Sequence, residues 1–123
     1  LLDMGDKFAR TGGFARTDEA LKANAIYARQ IAKQHECAMF YMSQLSAEAE
    51  GKVELNQSMM EGSRTGKAAE ADLMVLIAKN PVKTEAGEEE DTQRHINVVK
   101  NKLTGWHGRV TCNLDYRTAR YAV

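Results

Sequence analysis

The first third of the chain has a hydrophobic pattern that predicts one helix lying against a sheet. Thr17 is a suitable N-cap, and the two acidic residues after it favour a helix N-terminus. From there to about His35, small apolar residues recur at the spacing of a single helical face: Leu21, Ala25, Ala28 and Ala32. Side chains of this size let a helix approach a sheet closely.

Two short apolar runs predict buried strands. Residues 37–42 and 71–78 are apolar without alternation, which favours strands of a parallel sheet with both faces covered. Residues 1–3 have the composition of a strand end. Residues 5–16 and 46–67 are polar and contain several glycines, so we expect loops there. A loop as long as the second one is usually functional or disordered.

The last third of the chain predicts an antiparallel meander. Residues 96–100 form a third predicted strand, residues 109–116 alternate like a strand with one solvated face, and residues 117–123 fit a last short strand. The acidic residues 79–95 before them predict a solvated connection. The predicted fold class is therefore α/β, with a parallel sheet flanked by a helix and a C-terminal antiparallel meander.

Composition narrows the class of protein without changing this fold. The 123 residues suit one domain, residues 1–123, and 43% hydrophobic with 28% charged residues is typical of a globular protein. Seventeen basic and seventeen acidic residues give zero net charge, which excludes a wholly basic nucleic-acid binder. No apolar run approaches the roughly 20 residues of a membrane-spanning helix, and no secretory leader is visible. We therefore expect a cytoplasmic protein without a membrane partner.

The residue types that most often carry metal or nucleophilic chemistry are isolated in this sequence. Cys37 and Cys112 form no Cys-x-x-Cys pair, and no histidine has a second one four residues away. We expect two reduced cysteines, with neither a disulfide framework nor a zinc site.

One segment superficially resembles a phosphate-binding P-loop. Residues 62–68 contain two glycines followed by Lys67, but three rather than four residues separate the glycines, and Ala68 stands where a Ser or Thr is needed. We do not expect this segment to cradle a nucleotide.

Polar side chains follow the predicted strands at their ends. Asp3 ends the first strand and Gln44 follows the second, so both would lie at the edge of a parallel sheet where ligands bind. A carboxylate placed there can hold Mg²⁺ on a nucleotide, although an aspartate at a strand end also serves simply as a loop residue. Lys100 and Lys102 are two residues apart and would share one side of their strand. There they can reach a phosphate of a neighbouring molecule or remain ordinary surface lysines.

These features occur in an order that resembles one family. The matching stretches, in chain order, are Leu1–Met4, Ala28–Ala32, Met42–Ser46, Glu61–Arg64, Ala69–Leu76 and Val99–Gly108. They are similar to a Walker B strand, the following helix, the sensor strand end, the segment after the second DNA-binding loop, and the strand and turn that carry the finger residues. The chain thus resembles the C-terminal half of the RecA-like motor domain of hexameric replicative DNA helicases, of the DnaB and phage primase-helicase type.

The resemblance implies a role for each matching position. It implies that Asp3 coordinates the Mg²⁺ of bound ATP or another nucleoside triphosphate, that Gln44 senses the γ-phosphate, and that Lys100 and Lys102 reach the ATP of the adjacent subunit. Two loops would contact single-stranded DNA in the channel of a homo-oligomeric, hexameric ring. The candidate DNA contacts are Lys7, Arg10 and Arg16 in the first loop, and Lys52, Arg64 and Lys67 in the second. The implied location is a bacterial or phage-infected host cytoplasm.

The chain departs from the family in three respects. Lysine stands at position 102 where the family usually has arginine, which keeps the charge but loses the planar two-pronged geometry. Acidic residues surround Lys52 in the sequence. No Walker A lysine precedes the first strand, so we expect the 123-residue chain to be inactive as an ATPase by itself.

Two alternatives remain open at this point. One is a fragment of a RecA- or RadA-type recombination ATPase, and the other is a non-catalytic module that keeps the fold for DNA binding or assembly. A Gly-x-x-x-x-Gly-Lys-Ser/Thr sequence upstream of Leu1 would favour a motor, and its absence would favour the module.

Overall fold

The computed structural model describes residues 1, 13, 17–60, 66–79 and 92–123. Several sequence predictions fall outside these residues: the strand end and site at Asp3, the loop with Lys7, Arg10 and Arg16, the P-loop-like residues 62–65 with Arg64, and most of the acidic connection. The described chain divides into two compact units. The first comprises Leu1–Glu48 and Gln57–Ala71, and the second comprises Ala49–Asn56 and Asp72–Val123. One domain over residues 1–123 stays a prediction.

The first unit is built on helix α1, Thr17–Gln34, where the sequence predicts a helix. Its buried face consists of Ala20, Leu21, Ala25 and Ala28, close to the predicted stripe. Asp18 and Glu19 lie in the first turn and Lys33 in the last, which suits the helix dipole. Within the described parts of the chain, no helix combines the length and apolar character needed to span a membrane.

Helix α1 ends in a Schellman motif. The Cys37 N–H donates to the carbonyl of Ala32 at 3.0 Å, and the Glu36 N–H donates to the carbonyl of Lys33 at 3.4 Å. Glu36 itself has a φ of 48°, in the left-handed region that glycine usually occupies at this position. The helix therefore ends in hydrogen bonds, but it does so through a residue with a Cβ.

A second short helix packs on α1. Helix α2 spans Lys67–Glu70 and follows Gly66. A Cβ at Gly66 would lie 2.6 Å from the Cβ of Lys22 on α1, so only glycine allows the two helices to approach this closely. Arg29 of α1 donates to the Glu70 carbonyl, and its Nε lies 4.0 Å from a Glu70 carboxylate oxygen. The predicted loop 46–67 contains two 3-10 helices, Ala47–Ala49 and Gln57–Met59.

The second unit is a four-stranded antiparallel sheet. Its strands are β1 (Leu73–Lys79), β2 (Gln93–Asn101), β3 (Gly108–Asp115) and β4 (Arg120–Ala122), and they pair in chain order. The predicted C-terminal meander is therefore confirmed, with β2 starting three residues earlier than the sequence predicts. The predicted parallel sheet is wrong for the described strands, because β1 pairs antiparallel with β2.

The apolar runs explain this error. Residues 37–42 form no described strand beyond a bridge at Tyr41, and Phe40 is 67% exposed instead of buried. In β1, Met74, Leu76 and Ala78 are buried, while the alternate residues Leu73, Val75 and Ile77 are nearly half exposed. An unbroken apolar run gives no information about strand direction, and it does not require both faces to be covered.

The β1–β2 ladder contains a bulge. Met74 lies opposite Lys100, but the next residue, Val75, lies opposite Val98, so β2 has one extra residue at this point. Beyond the bulge the register is regular, and Leu76 lies opposite Asn97.

Candidate functional site

The turn after β2 carries Lys102, one of the two predicted finger residues. The Asn101 Oδ1 accepts hydrogen bonds from the N–H groups of Leu103 and Thr104, each at 3.1 Å. Its Nδ2 donates to the Thr104 hydroxyl at 2.7 Å, and its carbonyl accepts from the Gly105 N–H at 3.0 Å. Gly105 has a φ of 74°, which a side chain would disfavour. Asn101 therefore fixes the backbone of the turn locally.

Lys102 also contacts the start of β1. Its N–H donates to the Asp72 carbonyl at 2.8 Å, and its Nζ lies 3.5 Å from the Asp72 Oδ1. Strand alternation stops at Asn101, so it does not set the direction of the Lys102 side chain; Asp72 contributes to it instead. Both side chains of the ion pair are about half exposed, and an exposed pair contributes only about 0–1 kcal/mol. The ammonium can therefore exchange Asp72 for a more highly charged partner.

Lys52, the predicted DNA contact, lies in an exposed turn of the second unit. Its N–H donates to the Ala49 carbonyl at 3.2 Å, and Gly51 adopts a φ of 71° within the turn. Ala49 and Leu55 are buried on either side of it. The turn thus presents Lys52 to solvent between two anchored residues.

Asn97 holds the chain that follows Lys52. It is 5% exposed, and its Nδ2 donates to the Val53 carbonyl at 3.1 Å and to the His95 carbonyl at 3.2 Å. Its Oδ1 accepts from the Leu55 N–H at 3.4 Å. Sequence reasoning missed this residue. The available signal was a single amide between Ile96 and Val98 in an apolar strand, where a buried polar group must find partners.

One of the acidic residues near Lys52 is paired. The Glu54 carboxylate lies 3.3 Å from the Arg109 Nη1 on β3. The pair is exposed, so it stabilises the fold little, but it lowers the unpaired negative charge beside Lys52. The acidic neighbours are thus a smaller obstacle to a phosphate contact than the sequence indicates.

Gln44, the predicted sensor, is exposed in the first unit and lies next to a fixed residue. The Lys67 Nζ donates to the Ser43 hydroxyl at 2.8 Å, and Lys67 is only 4% exposed. After Gln44, the chain pairs with residues beyond the loop: Leu45 bridges Met60, and the Ser46 N–H donates to the Met59 carbonyl at 2.7 Å. Lys67 is thus placed to hold the residue before Gln44, and its burial is not the position of a side chain that contacts DNA.

The structure brings three of the predicted cations into one unit. Lys52, Lys100 and Lys102 belong to the second unit, whereas Gln44 and Lys67 belong to the first. Lys100 is half-buried at the end of β2. The shared edge predicted for Asp3, Gln44 and the lysine pair remains a prediction. Nowhere in the described parts of the chain do three or more metal-ligating side chains group together, so Asp3 remains the candidate Mg²⁺ ligand.

The fold matches RecA-like helicase domains. One similar solved structure is a DnaB-like replicative helicase, from work on its interactions with primase; the TM-score is 0.77 at 14% sequence identity, and the match covers 97% of this chain. Another is a separately solved ATPase domain, with a TM-score of 0.74 at 13% identity over 92% of this chain. At these identities the likeness establishes the fold alone.

The present chain spans only part of these structures. It covers 29% of the DnaB-like helicase chain and 39% of the chain of the ATPase domain. No family model matches the sequence, and no curated protein matches it significantly. The activity, substrates and partners of a whole helicase are therefore matters for proposal.

Proposed function

We propose that this chain is the C-terminal portion of the motor domain of an ATP-dependent replicative DNA helicase, which translocates on single-stranded DNA and unwinds duplex as a ring. The observation that carries the proposal is the fold match over 97% of the chain with a DnaB-like replicative helicase. The sequence supports it independently, since the helicase-like stretches occur in the family order. In the full-length protein ATP with Mg²⁺ is the cofactor, and single-stranded DNA and further copies of the chain are the partners.

In this proposal the second unit acts on the nucleotide of the next subunit. Lys100 and Lys102 donate hydrogen bonds to the phosphates and stabilise the negative charge that develops during phosphoryl transfer. The weak ion pair with Asp72 allows Lys102 to reach out of its own subunit. A lysine supplies a point charge there, where an arginine would bind two oxygens at once.

The remaining roles follow the same scheme. Gln44 senses the γ-phosphate from the segment that Ser43 and Lys67 hold in place. Asp3 holds Mg²⁺, and Lys52 contacts the DNA backbone, which positions the strand without reading its sequence. Arg64, Lys7, Arg10 and Arg16 are further proposed DNA contacts outside the described residues. We leave Lys67 out of this set because it is buried.

The test is ATP hydrolysis and fork unwinding by rings of the full-length protein that mix wild-type and Lys102→Ala subunits. If Lys102 acts on the adjacent nucleotide, each variant subunit inactivates the site of its neighbour, and turnover falls in proportion to the variant fraction or more steeply. Lys33→Ala, which removes an exposed lysine of α1, is the matched control and should leave turnover unchanged.

The outcomes separate the alternatives. Strand exchange without unwinding would favour the recombination ATPase, and DNA binding without any hydrolysis would favour the non-catalytic module. Full turnover in rings made only of Lys102→Ala subunits would remove the finger role.

A further inference from the structure

We propose that Asn97 is the positioning residue that fixes the Lys52 turn in the conformation that binds single-stranded DNA. The inference rests on the proposed function, in which Lys52 contacts the DNA backbone, and it adds a residue that does not itself touch DNA. Lys52 is exposed and Asn97 is buried, so the two have separable roles.

The environment of Asn97 is one in which an apolar residue would be expected. It lies between Ile96 and Val98 in β2 and opposite Leu76 of β1, which is buried. Burying an amide among such neighbours is unfavourable unless its groups are paired. Both Nδ2 hydrogens and the Oδ1 are paired, and two of the three bonds go to the backbone of residues 53–55. The amide is therefore matched to that segment.

The geometry of these bonds fixes the chain next to Lys52. Asn97 binds the carbonyl of Val53 and the N–H of Leu55, as the backbone of a neighbouring strand would. On the other side of Lys52, its own N–H is bound to the Ala49 carbonyl. A turn held at both ends loses less conformational entropy when its lysine binds a phosphate, so the preorganised turn binds DNA more tightly.

Asn97 also lies on the strand that carries a proposed finger residue. It precedes Lys100 by three residues in β2, so one strand holds both the DNA-facing turn and Lys100. We therefore expect loss of Asn97 to weaken both DNA binding and the stimulation of ATP hydrolysis by DNA.

The main experiment uses Asn97→Asp in the full-length protein. This change keeps the side-chain size and the acceptor for Leu55, and it removes the donors to Val53 and His95. Binding of a fluorescent oligo-dT is measured as a function of salt, together with ATP turnover at increasing oligo-dT. Asn113→Asp is the matched control, since it makes the same chemical change at an exposed position of β3.

We expect Asn97→Asp to weaken oligo-dT binding by about tenfold, the effect of losing such hydrogen bonds, and the control to change it little. The logarithmic dependence of binding on salt should fall by about 0.7, because one phosphate contact to a single strand is lost. A merely structural role would lower the melting temperature without changing this salt dependence.

A second variant and a variant-free measurement guard against misfolding. Asn97→Leu carries no charge and suits the apolar neighbours; it should weaken oligo-dT binding similarly and speed hydrogen exchange at the Leu55 amide. In the wild-type protein, added oligo-dT should slow exchange in residues 52–55.

The inference is overturned if oligo-dT leaves that exchange unchanged, or if Asn97→Leu speeds it while DNA binding and its salt dependence stay as in the wild type. The proposed function is unaffected by either result. It fails separately if the wild-type protein neither binds oligo-dT nor hydrolyses ATP.

Discussion

The buried ammonium of Lys67 donates a hydrogen bond to the hydroxyl of Ser43, with 2.8 Å between Nζ and Oγ. Two segments that are 24 residues apart in the chain are thereby joined beside Gln44. Helix α2, which begins at Lys67, is itself packed on α1 through Gly66 and Glu70. The segment before the proposed sensor is thus connected to the helical part of its unit.

The two serines that flank this segment should respond in opposite ways to removal of their hydroxyls. Ser43→Ala removes an acceptor from a buried lysine and should lower the free energy of unfolding by about 1–3 kcal/mol. The buried Ser46 hydroxyl has no hydrogen-bond partner among the described residues, so Ser46→Ala should leave stability within about 0.5 kcal/mol or raise it. Thermal and urea denaturation of the two variants measure the difference. Equal losses would show that Ser43 does not hold Lys67.

Lys67 and Lys52 should separate stability from DNA binding. Lys67→Met keeps the length of the side chain and removes the buried donor, so it should reduce stability by about 1–2 kcal/mol and leave oligo-dT binding intact in the folded protein. Lys52→Ala should instead weaken binding and reduce the logarithmic salt dependence by about 0.7, with little change in stability. Denaturation and salt titrations of both variants check this. A lower salt dependence for Lys67→Met would return Lys67 to the DNA contacts.

Asp72→Asn should release Lys102 without removing the bond between the Asp72 carbonyl and the Lys102 N–H. Because the ion pair is exposed, the free energy of unfolding should change by less than about 1 kcal/mol. Freed of this partner, Lys102 is more available to the neighbouring nucleotide, so the KM for ATP of the full-length protein should fall. Steady-state ATPase assays measure the effect. A raised KM would indicate that Asp72 aims Lys102 at the nucleotide.

Glu36→Gly should stabilise the first unit. The left-handed conformation of residue 36 is unfavourable for any residue with a Cβ and is free of strain for glycine, so we expect a gain of about 0.5–1 kcal/mol. The melting temperature of the protein reports the change. Glu36→Ala is the control, since it removes the charge and keeps the Cβ; a gain in this variant as well would point to electrostatics instead of backbone strain.

The sequence predicts the helix and the meander because their signals are local. In α1 the apolar spacing, the acidic first turn and the small residues agree with one another, and the observed helix starts at Thr17 and ends within a residue of the prediction. The strands after it alternate or are bounded by turn residues such as Gly105, and all are found.

The arrangement of the strands depends on contacts that lie far apart in the chain. Nothing in the sequence of β1 specifies that it pairs antiparallel with β2, or that Val75 and Ile77 are left partly exposed. Residues 37–42 have a similar composition and form no described strand. An apolar run specifies burial only when its partners are known.

The candidate site was predicted in part for the same reason. Charged residues such as Lys52 and Lys102 are visible in the sequence, and the structure places both in the second unit. The residues that hold them are ordinary polar residues whose importance comes from their hydrogen bonds: Asn97, Asp72 and Asn101. Lys67 shows the converse, because its charge indicates a surface residue and its contacts bury it.

The bulge in β2 decides which side of the sheet Lys100 faces. Asn97 and Lys100 are three residues apart, a separation that in a regular strand sends side chains to opposite faces. The extra residue restores the match, since Leu76 and Met74 share the buried face of β1 and lie opposite Asn97 and Lys100. Deleting Val99 would leave a continuous ladder but turn Lys100 to the other face. The length of this strand, and not only its composition, is therefore part of what a working copy must inherit.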